Sequence, residues 1–413
     1  MATQITRKRL GRDFTRLWWA NAISNTGDGL ILAAGPLLLA SLTNDPTLVA
    51  GAVFVQRLPW LLFGLVSGAL VDRLDRRLLV VVVNVLRGLV VAALTVAIAT
   101  GTASIPVVYA ALFVLGLGET FADNAAGTMV PSVVEPDQLP RAMARLQYVQ
   151  VIGNGLVAPP IGAALFVVAA ALPYGIDAAS FVLAALLISF VRVERPRATE
   201  TSRRRLRTEI AEGLRWLWAH HVVRLLALSL CLMNITLMGA LSIYVLYAEQ
   251  RLGVTGTGYG LLLTAMALGG IPGTVLAPRL IERFGPAVLL RIGLVIETGT
   301  HLSLALTRSP WVAGATMALF GVHAAVFTVI TASLRHRAVP DELRGRVGSA
   351  FMLLVIGGVS LGALFGGFVA RLFGIVAPFW AAFAVMTLLT IGAWRRFGSI
   401  PHDRVEQLDS RSQ

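Results

Sequence analysis

The chain contains twelve long apolar segments, each close to the length that a helix needs to cross a membrane. A membrane-spanning helix takes roughly 20 mostly apolar residues, and glycine, proline, asparagine or serine residues separate most of these segments. A helix satisfies its backbone hydrogen bonds internally, which a lipid environment requires. The pattern therefore predicts an all-α integral membrane protein, with spans that we number 1 to 12, near residues 16–41, 48–70, 78–100, 105–128, 143–170, 173–191, 222–248, 257–280, 287–306, 310–333, 347–370 and 374–394.

The composition argues against most classes of soluble protein. Of the 413 residues, 56% are hydrophobic and 14% are charged, which is too little charge to cover a water-facing surface. The single cysteine, Cys231, leaves no disulfide framework and no cysteine metal site. The single lysine, Lys8, belongs to no glycine-rich phosphate loop, and this argues against an ATP-driven pump. We therefore expect no enzymatic activity, no cofactor and no bound metal.

The basic residues are distributed unevenly between the two sides of the predicted spans. With the N-terminus placed in the cytoplasm, 29 of the 35 Lys and Arg residues fall at cytoplasmic loops, span ends and termini. Three fall in external loops, namely Arg251, Arg308 and Arg371, and three fall inside spans, namely Arg57, Arg87 and Arg291. Cytoplasmic loops carry such an excess in membrane proteins. The net charge of +13 therefore predicts a multi-pass plasma-membrane topology with both termini cytoplasmic, and not a nucleic-acid partner.

The two halves of the chain resemble each other in sequence. Pro136-Asp-Gln-Leu139 is matched 204 residues later by Pro340-Asp-Glu-Leu343, and Gly162 is matched by Gly366 at the same offset. Such a repeat indicates a duplicated bundle. We predict a six-helix bundle at 1–191, a cytoplasmic linker with an amphipathic helix at 192–221, a second six-helix bundle at 222–396, and a cytoplasmic tail at 397–413.

The loop between spans 2 and 3 carries a specific motif. A glycine is followed by an Asp-Arg pair and a closing Arg pair: Gly68, Asp72, Arg73, Arg76 and Arg77. The motif resembles the loop signature of the major facilitator superfamily, although Asp75 stands where a glycine is usual. The resemblance implies the major facilitator fold of two pseudo-symmetric bundles, in which spans 1, 4, 7 and 10 line a central cavity. It also implies that the motif acts as a gate during alternating access.

Further segments resemble one branch of that superfamily, the macrolide-efflux and enterobactin-exporter-like permeases. They include Gly27-Asp28, Asn84-Val-Leu-Arg87 and Phe121-Ala-Asp123. The branch resembles drug:proton antiporters, so we expect a monomeric secondary transporter with the lipid bilayer, a small-molecule substrate and protons as its partners. Its expected activity is proton-coupled efflux of a hydrophobic or amphipathic compound, such as a drug or secondary metabolite. A siderophore or lysolipid transporter of the same fold and a non-transporting membrane sensor or scaffold stay open as alternatives.

Span 1 carries three polar residues on one helix face. Asn21, Asn25 and Asp28 follow each other at spacings of four and three residues. Asp28 lies roughly 18 Å along the helix, near the midplane, at about 1.5 Å per residue. Two interpretations stay open for this carboxylate. It binds a proton or a cationic substrate, or it forms an ion pair with Arg57 or Arg87 that fixes helix packing.

Span 4 and span 10 supply the other candidates for proton coupling. Glu119 and Asp123 are four residues apart on one face of span 4, where two carboxylates in a low dielectric repel each other. Asp123 lies closer to the cytoplasm and is also a candidate contact for the gate arginines. His323 falls at the repeat equivalent of Glu119, and histidine titrates near neutral pH. We interpret Glu297 and His301 of span 9 as outer-helix structural residues that pair with each other or with Arg291.

Polar and aromatic residues mark the expected substrate cavity. Span 5 carries a polar stripe, span 7 repeats this pattern, and span 10 adds aromatic rings that widen an apolar pocket. The cavity candidates are Asn21, Asn25, Gln147, Gln150, Asn154, Asn234, Met238, Phe320 and Phe327. Methionine and aromatic side chains at helical spacing also occur as plain helix packing.

The distribution of basic residues predicts the location of the central linker. In a Cys231→Ser background, a cysteine at Ser202→Cys should react with a membrane-impermeant thiol reagent only after the cells are opened. The basic residues of 192–221 hold this segment inside. Labelling of the same cysteine from outside intact cells would contradict the topology.

Overall fold

The computed structural model describes residues 10–71, 74–192 and 206–398, and these residues are largely helical. Within this part of the chain, eleven helices are long and apolar enough to cross a membrane. Spans 1 to 4 are Arg12–Leu42, Pro46–Val71, Arg76–Ala99 and Ile105–Val133, and span 6 is Leu172–Ser189. Spans 7 and 10 to 12 are His221–Leu241, Pro310–Ala338, Arg344–Phe373 and Ala377–Gly398.

Spans 8 and 9 share the longest helix, Thr257–Leu306. Gly285 interrupts it with φ 75° and ψ 158°, a backbone conformation outside the helical region that glycine adopts without a side-chain clash. Pro286 follows directly. The predicted break at Gly285-Pro286 therefore separates two spans. Helices occur at all twelve predicted positions, but span 7, predicted as one helix at 222–248, ends at Leu241, and a separate short helix, Tyr244–Leu252, follows it.

Span 5 is not the regular helix that the sequence predicts. A 3₁₀ turn at Pro136–Gln138 leads into an α-helix at Leu139–Val149, a π-helical segment at Gln150–Val157 and a second α-helix at Ala158–Val168. A π-helix has a wider turn than an α-helix, so the spacing of side chains along one face changes within this span. The matching 3₁₀ turn of the repeat, Asp341–Leu343, precedes span 11.

The predicted amphipathic helix of the linker is Leu206–Ala219. It packs against the start of span 11: Glu212 accepts a hydrogen bond from Arg346 at 2.9 Å, and Gly213 lies against the backbone of Arg346. Leu217 is fully buried, whereas Leu214 and Trp218 are exposed. The helix is therefore held by only part of the apolar face that the sequence suggests.

The described residues group into two compact units. One contains residues 10–34 and 62–192, and the other contains residues 35–61 and 206–398. Each has its own apolar core; Phe14, Phe181 and Met129 are fully buried in the first, and Leu226, Phe351 and Phe397 in the second. The end of span 1 and the first part of span 2 belong to the second unit, so the units do not follow the sequence repeat residue by residue.

Glycines allow very close helix contact within the second unit. Gly358, Gly362 and Gly366 of span 11 lie at four-residue intervals against the backbone of span 7, at Cys231, Ile235 and Gly239. A side chain at these positions would collide with a carbonyl group, so the two backbones meet without intervening side chains. These three glycines therefore set the short distance between spans 7 and 11.

A matched pair of substitutions tests this contact. Gly362→Ala should lower the melting temperature of the detergent-solubilised protein, because the new methyl group meets the Ile235 carbonyl, and overpacking costs about 1 to 3 kcal/mol.

Gly357→Ala is the control, since its side chain would enter open space and alanine favours helix by up to about 1 kcal/mol. Equal melting temperatures for the two variants would contradict the proposed packing.

Candidate functional site

The first unit holds an arginine among several acidic side chains. Arg87 of span 3 is 7% exposed and donates a hydrogen bond to Asp28 of span 1 at 2.9 Å. Its guanidinium carbon lies 4.1 Å from the centre of the Phe181 ring, and its methylene groups pack at Gly118. The alternative ion pair predicted from the sequence is therefore formed with Arg87. Asp28 keeps 32% of its side chain exposed, so it is accessible as well as paired.

Asp177 of span 6 is part of the same cluster, and the sequence analysis missed it. It is 2% exposed, accepts a hydrogen bond from the Ser180 hydroxyl at 3.2 Å, and lies directly against Gly27. It interacts electrostatically with both Asp28 and Arg87. An acidic residue inside an apolar span is the signal that identifies such a site, and Asp177 lies within predicted span 6.

Glu119 extends the cluster from span 4. It is half-buried and interacts electrostatically with Asp28. Asp28, Glu119 and Asp177 thus form a group of acidic side chains in the first unit, and Asp28 and Asp177 interact with Arg87. Ionisable side chains inside membrane-spanning helices are rare and mark candidate functional sites. Asp123, one turn further along span 4, is exposed.

The polar residues predicted to line a cavity in the first unit are placed differently from one another. Asn25 donates to the backbone carbonyl of Asn21 at 2.9 Å, and both side chains are half-buried. Gln147 and Gln150 are exposed, whereas Asn154 lies in the π-helical segment, where its backbone packs on Gly29 of span 1. Asn154 is therefore half-buried beside span 1, whereas the two glutamines of the predicted stripe are exposed.

The second unit contains a cavity of about 360 Å³. Spans 7 to 11 line it, and most of its lining is apolar, as in pockets that bind small organic molecules. Phe320, Phe327 and Asn234, three of the candidates named from the sequence, belong to the lining. Met238, the remaining candidate on span 7, is half-buried.

A buried carboxyl–imidazole pair lies in this cavity. His323 of span 10 is 3.1 Å from Glu297 of span 9, and both side chains are at most 2% exposed. The interpretation of Glu297 and His301 as a pair is wrong, because neither ring nitrogen of His301 has a hydrogen-bond partner among the described residues. Arg291 instead donates to the Trp394 carbonyl at 2.7 Å. Helical spacing placed Glu297 beside His301, but the contact between spans 9 and 10 decided its partner.

The predicted gate motif is described in part. Gly68 is helical near the end of span 2, and Asp72 and Arg73 lie outside the described residues. Asp75 caps span 3 by accepting a hydrogen bond from the Leu78 amide at 3.0 Å. Arg76 begins span 3, and Arg77 donates to the Val191 carbonyl at 3.3 Å. The residue that replaces the usual glycine therefore has a structural role at a helix start.

No group of three or more histidine, cysteine, aspartate or glutamate residues suited to a metal ion occurs among the residues that the structure describes.

The chain is similar to known transport proteins. Residues 10–412 match the family described as transmembrane secretion effectors, within the MFS class. A 130-residue stretch is 37% identical to an uncharacterized MFS-type transporter of Mycobacterium tuberculosis, but it spans 31% of this chain and 29% of that relative. Identity to the multidrug efflux pump Tap of Mycolicibacterium fortuitum is 26%, over 91% of this chain and 93% of Tap. Identity to the enterobactin exporter EntS of Salmonella typhimurium is 24%, over 94% of each chain.

A solved structure has the same fold. A bacterial homologue of the iron transporter ferroportin, in an inward-facing state, superimposes with a TM-score of 0.75 over 95% of this chain and all of that chain. The two sequences are 19% identical, so this likeness concerns the fold alone.

The charge balance of the acidic cluster can be tested by substitution. Arg87→Gln removes the cation that is hydrogen-bonded to Asp28 and interacts electrostatically with Asp177, and breaking a buried ion pair costs about 3 kcal/mol. We expect a lower melting temperature and a lower yield of folded protein.

Adding Asp28→Asn should restore part of the loss, because it removes one of the carboxylates left behind. Arg308→Gln, at an exposed position, serves as the control. A double variant as unstable as Arg87→Gln alone would contradict the role of Arg87 as the counter-ion of Asp28.

Proposed function

The chain belongs to the transmembrane secretion effector family of major facilitator transporters, and we propose that it exports a hydrophobic or amphipathic small molecule in exchange for protons. The two helical units would expose the substrate to each side of the plasma membrane in turn, as the inverted and duplicated bundles of such folds do. The termini and the linker would lie in the cytoplasm, as the distribution of basic residues favours.

The acidic cluster around Arg87 is the observation that carries the proton-coupling part of the proposal. Arg87 is hydrogen-bonded to Asp28, Asp177 interacts electrostatically with both, and Glu119 interacts with Asp28. A proton bound to Asp28 would weaken its ion pair and free Arg87 to turn toward Asp177. The Nε–H group of Arg87 is buried without an acceptor among the described residues, so the guanidinium has a donor available for a second partner.

Protonation of this cluster would change the contacts among four helices. Asp28, Arg87, Glu119 and Asp177 lie on spans 1, 3, 4 and 6, respectively. Because the cluster joins these helices, the loss of one ion pair changes the packing of the unit. A group that binds a proton in one arrangement and releases it in another is what coupling requires.

The direction of transport and the substrate class are inferred from relatives and from the second unit. Tap is a multidrug efflux pump and EntS is an enterobactin exporter, so we propose export. The mostly apolar cavity of about 360 Å³ has the size and lining expected for a hydrophobic or amphipathic compound. A siderophore is the second candidate substrate, because EntS aligns with nearly the whole chain.

Substitution of the coupling acids separates binding from coupling. In proteoliposomes, Glu119→Gln mimics the protonated acid. It should retain exchange of substrate for substrate and lose transport driven by a pH gradient. Asp28→Asn should show the same division if Asp28 shares the proton, and should instead reduce folding if its ion pair is purely structural.

Glu249→Gln is the matched control, because Glu249 is exposed at the end of the helix that follows span 7. Full gradient-driven transport by a double variant, Asp28→Asn with Glu119→Gln, would rule out both acids as the proton site. The remaining candidates would then be Asp123, Asp177 and His323.

A further inference from the structure

One face of span 10 forms a wall of the second unit's cavity, and the chemistry of its side chains changes along the helix. His323, Phe327, Thr331 and Arg335 follow each other at four-residue intervals, and all four line the cavity. Residues at this spacing share a helix face. The wall extends roughly 18 Å at about 1.5 Å per residue. It passes from a buried imidazole through an aromatic ring and a hydroxyl to a guanidinium at the end of the helix.

Two residues of the cavity lining each carry a buried polar atom that has no hydrogen-bond partner among the described residues. One is Oε1 of Glu297, whose other oxygen contacts His323, and the other is Oγ1 of Thr331. The two residues are 1% and 4% exposed. A buried polar atom without a partner costs about 1 to 3 kcal/mol. Both belong to residues of the cavity lining, where a bound molecule can supply the missing hydrogen bonds.

Arg335 leaves a positive charge at the end of this wall. Its guanidinium carbon lies 4.7 Å from the centre of the Phe351 ring, and no acidic side chain pairs with it among the described residues. Glu297 is the one acid of the cavity lining. When Glu297 and His323 hold one proton between them, the pair has no net charge, whether the proton is on the carboxyl group or on the imidazole. In that state the pair does not balance the positive charge of Arg335.

Stacking on an aromatic ring holds a guanidinium without using its N–H groups. Those groups lie in the guanidinium plane and remain free to bind a carboxylate, sulfonate or phosphate with two parallel hydrogen bonds. Phe327 and Phe351 provide apolar surface next to this position, and Phe320 lies deeper along the wall. The cavity therefore combines one anion-binding group with an aromatic interior.

We propose that this cavity is a binding site for an amphipathic organic anion. The acidic group of the ligand binds Arg335, its aromatic or aliphatic body lies against Phe327 and Phe351, and a hydroxyl or amine group at its far end donates to Glu297. The inference rests on the proposed export function and names the charge of its substrates. Binding itself needs neither a proton gradient nor movement of the two units.

A pair of probes with the same ring system tests the proposal. The anion is 8-anilinonaphthalene-1-sulfonate, and the neutral analogue that lacks the sulfonate is N-phenyl-1-naphthylamine. Binding of each is measured calorimetrically to the full chain in nanodiscs of zwitterionic lipid, with empty nanodiscs subtracted. The anion should bind at least about tenfold more tightly, since a hydrogen bond to a charged group contributes about 1.5 to 3 kcal/mol and about 1.4 kcal/mol is tenfold.

Substitutions then assign the preference to its residues. Arg335→Gln should remove the tenfold preference by weakening the anion alone, whereas Phe327→Ala should weaken both probes. Arg337→Gln is the control, because Arg337 is exposed in the same turn and does not line the cavity. Melting temperatures measured for every variant show that each is folded.

Three results would overturn the proposal: equal affinity for the two probes, an unchanged preference in Arg335→Gln, or no binding of either probe above that of empty nanodiscs. The outcome is independent of the proposed function. If the anion binds through Arg335 but no pH gradient drives its transport, proton-coupled export fails and the binding site remains. If proton-driven transport proceeds but the Arg335 preference is absent, the proposed binding site fails and proton-coupled export remains.

Discussion

Close contact between helix backbones is the constraint on which the packing of this protein depends. Its helices are apolar on most sides, and in lipid an apolar side chain gains little by leaving one hydrocarbon surface for another. Packing then relies on surfaces that fit at short range. Spans 7 and 11 meet through Gly358, Gly362 and Gly366, and span 1 meets span 5 where Gly162 lies against the backbone of Leu30. Spans 8 and 10 meet in the same way, at Gly269 and Gly321.

Closely packed apolar helices make each charged side chain in them expensive, so the charges are gathered where they have partners. In the first unit, Arg87 is bonded to Asp28, stacks on Phe181 and interacts with Asp177. In the second unit, Glu297 pairs with His323. These two groups of residues divide the chemistry of the protein between its units. The first contains the acidic cluster around Arg87, and the second contains a mostly apolar cavity.

The division has a consequence for how the two proposed roles interact. The acidic cluster joins spans 1, 3, 4 and 6 of the first unit, and the cavity is lined by spans 7 to 11 of the second. Proton binding and ligand binding therefore act on different sets of helices in the proposed mechanism. Proton binding and ligand binding can then be coupled only through a conformational change whose equilibrium depends on both of them. This is the general basis of linkage between separate sites.

The sequence alone determined the fold class, the twelve spans, the break at Gly285-Pro286 and the family. These follow from segment length, apolar composition, turn residues and a motif, all of which are local along the chain. It also identified Asp28, Arg87, His323 and Phe327 as polar or aromatic residues of interest. Only the tertiary structure decided which of them meet, because a contact between helices depends on rotation and depth that no spacing within one helix specifies. For that reason, only the structure shows that Asp177 belongs to the cluster of Arg87 and that Glu297 pairs with His323 instead of His301.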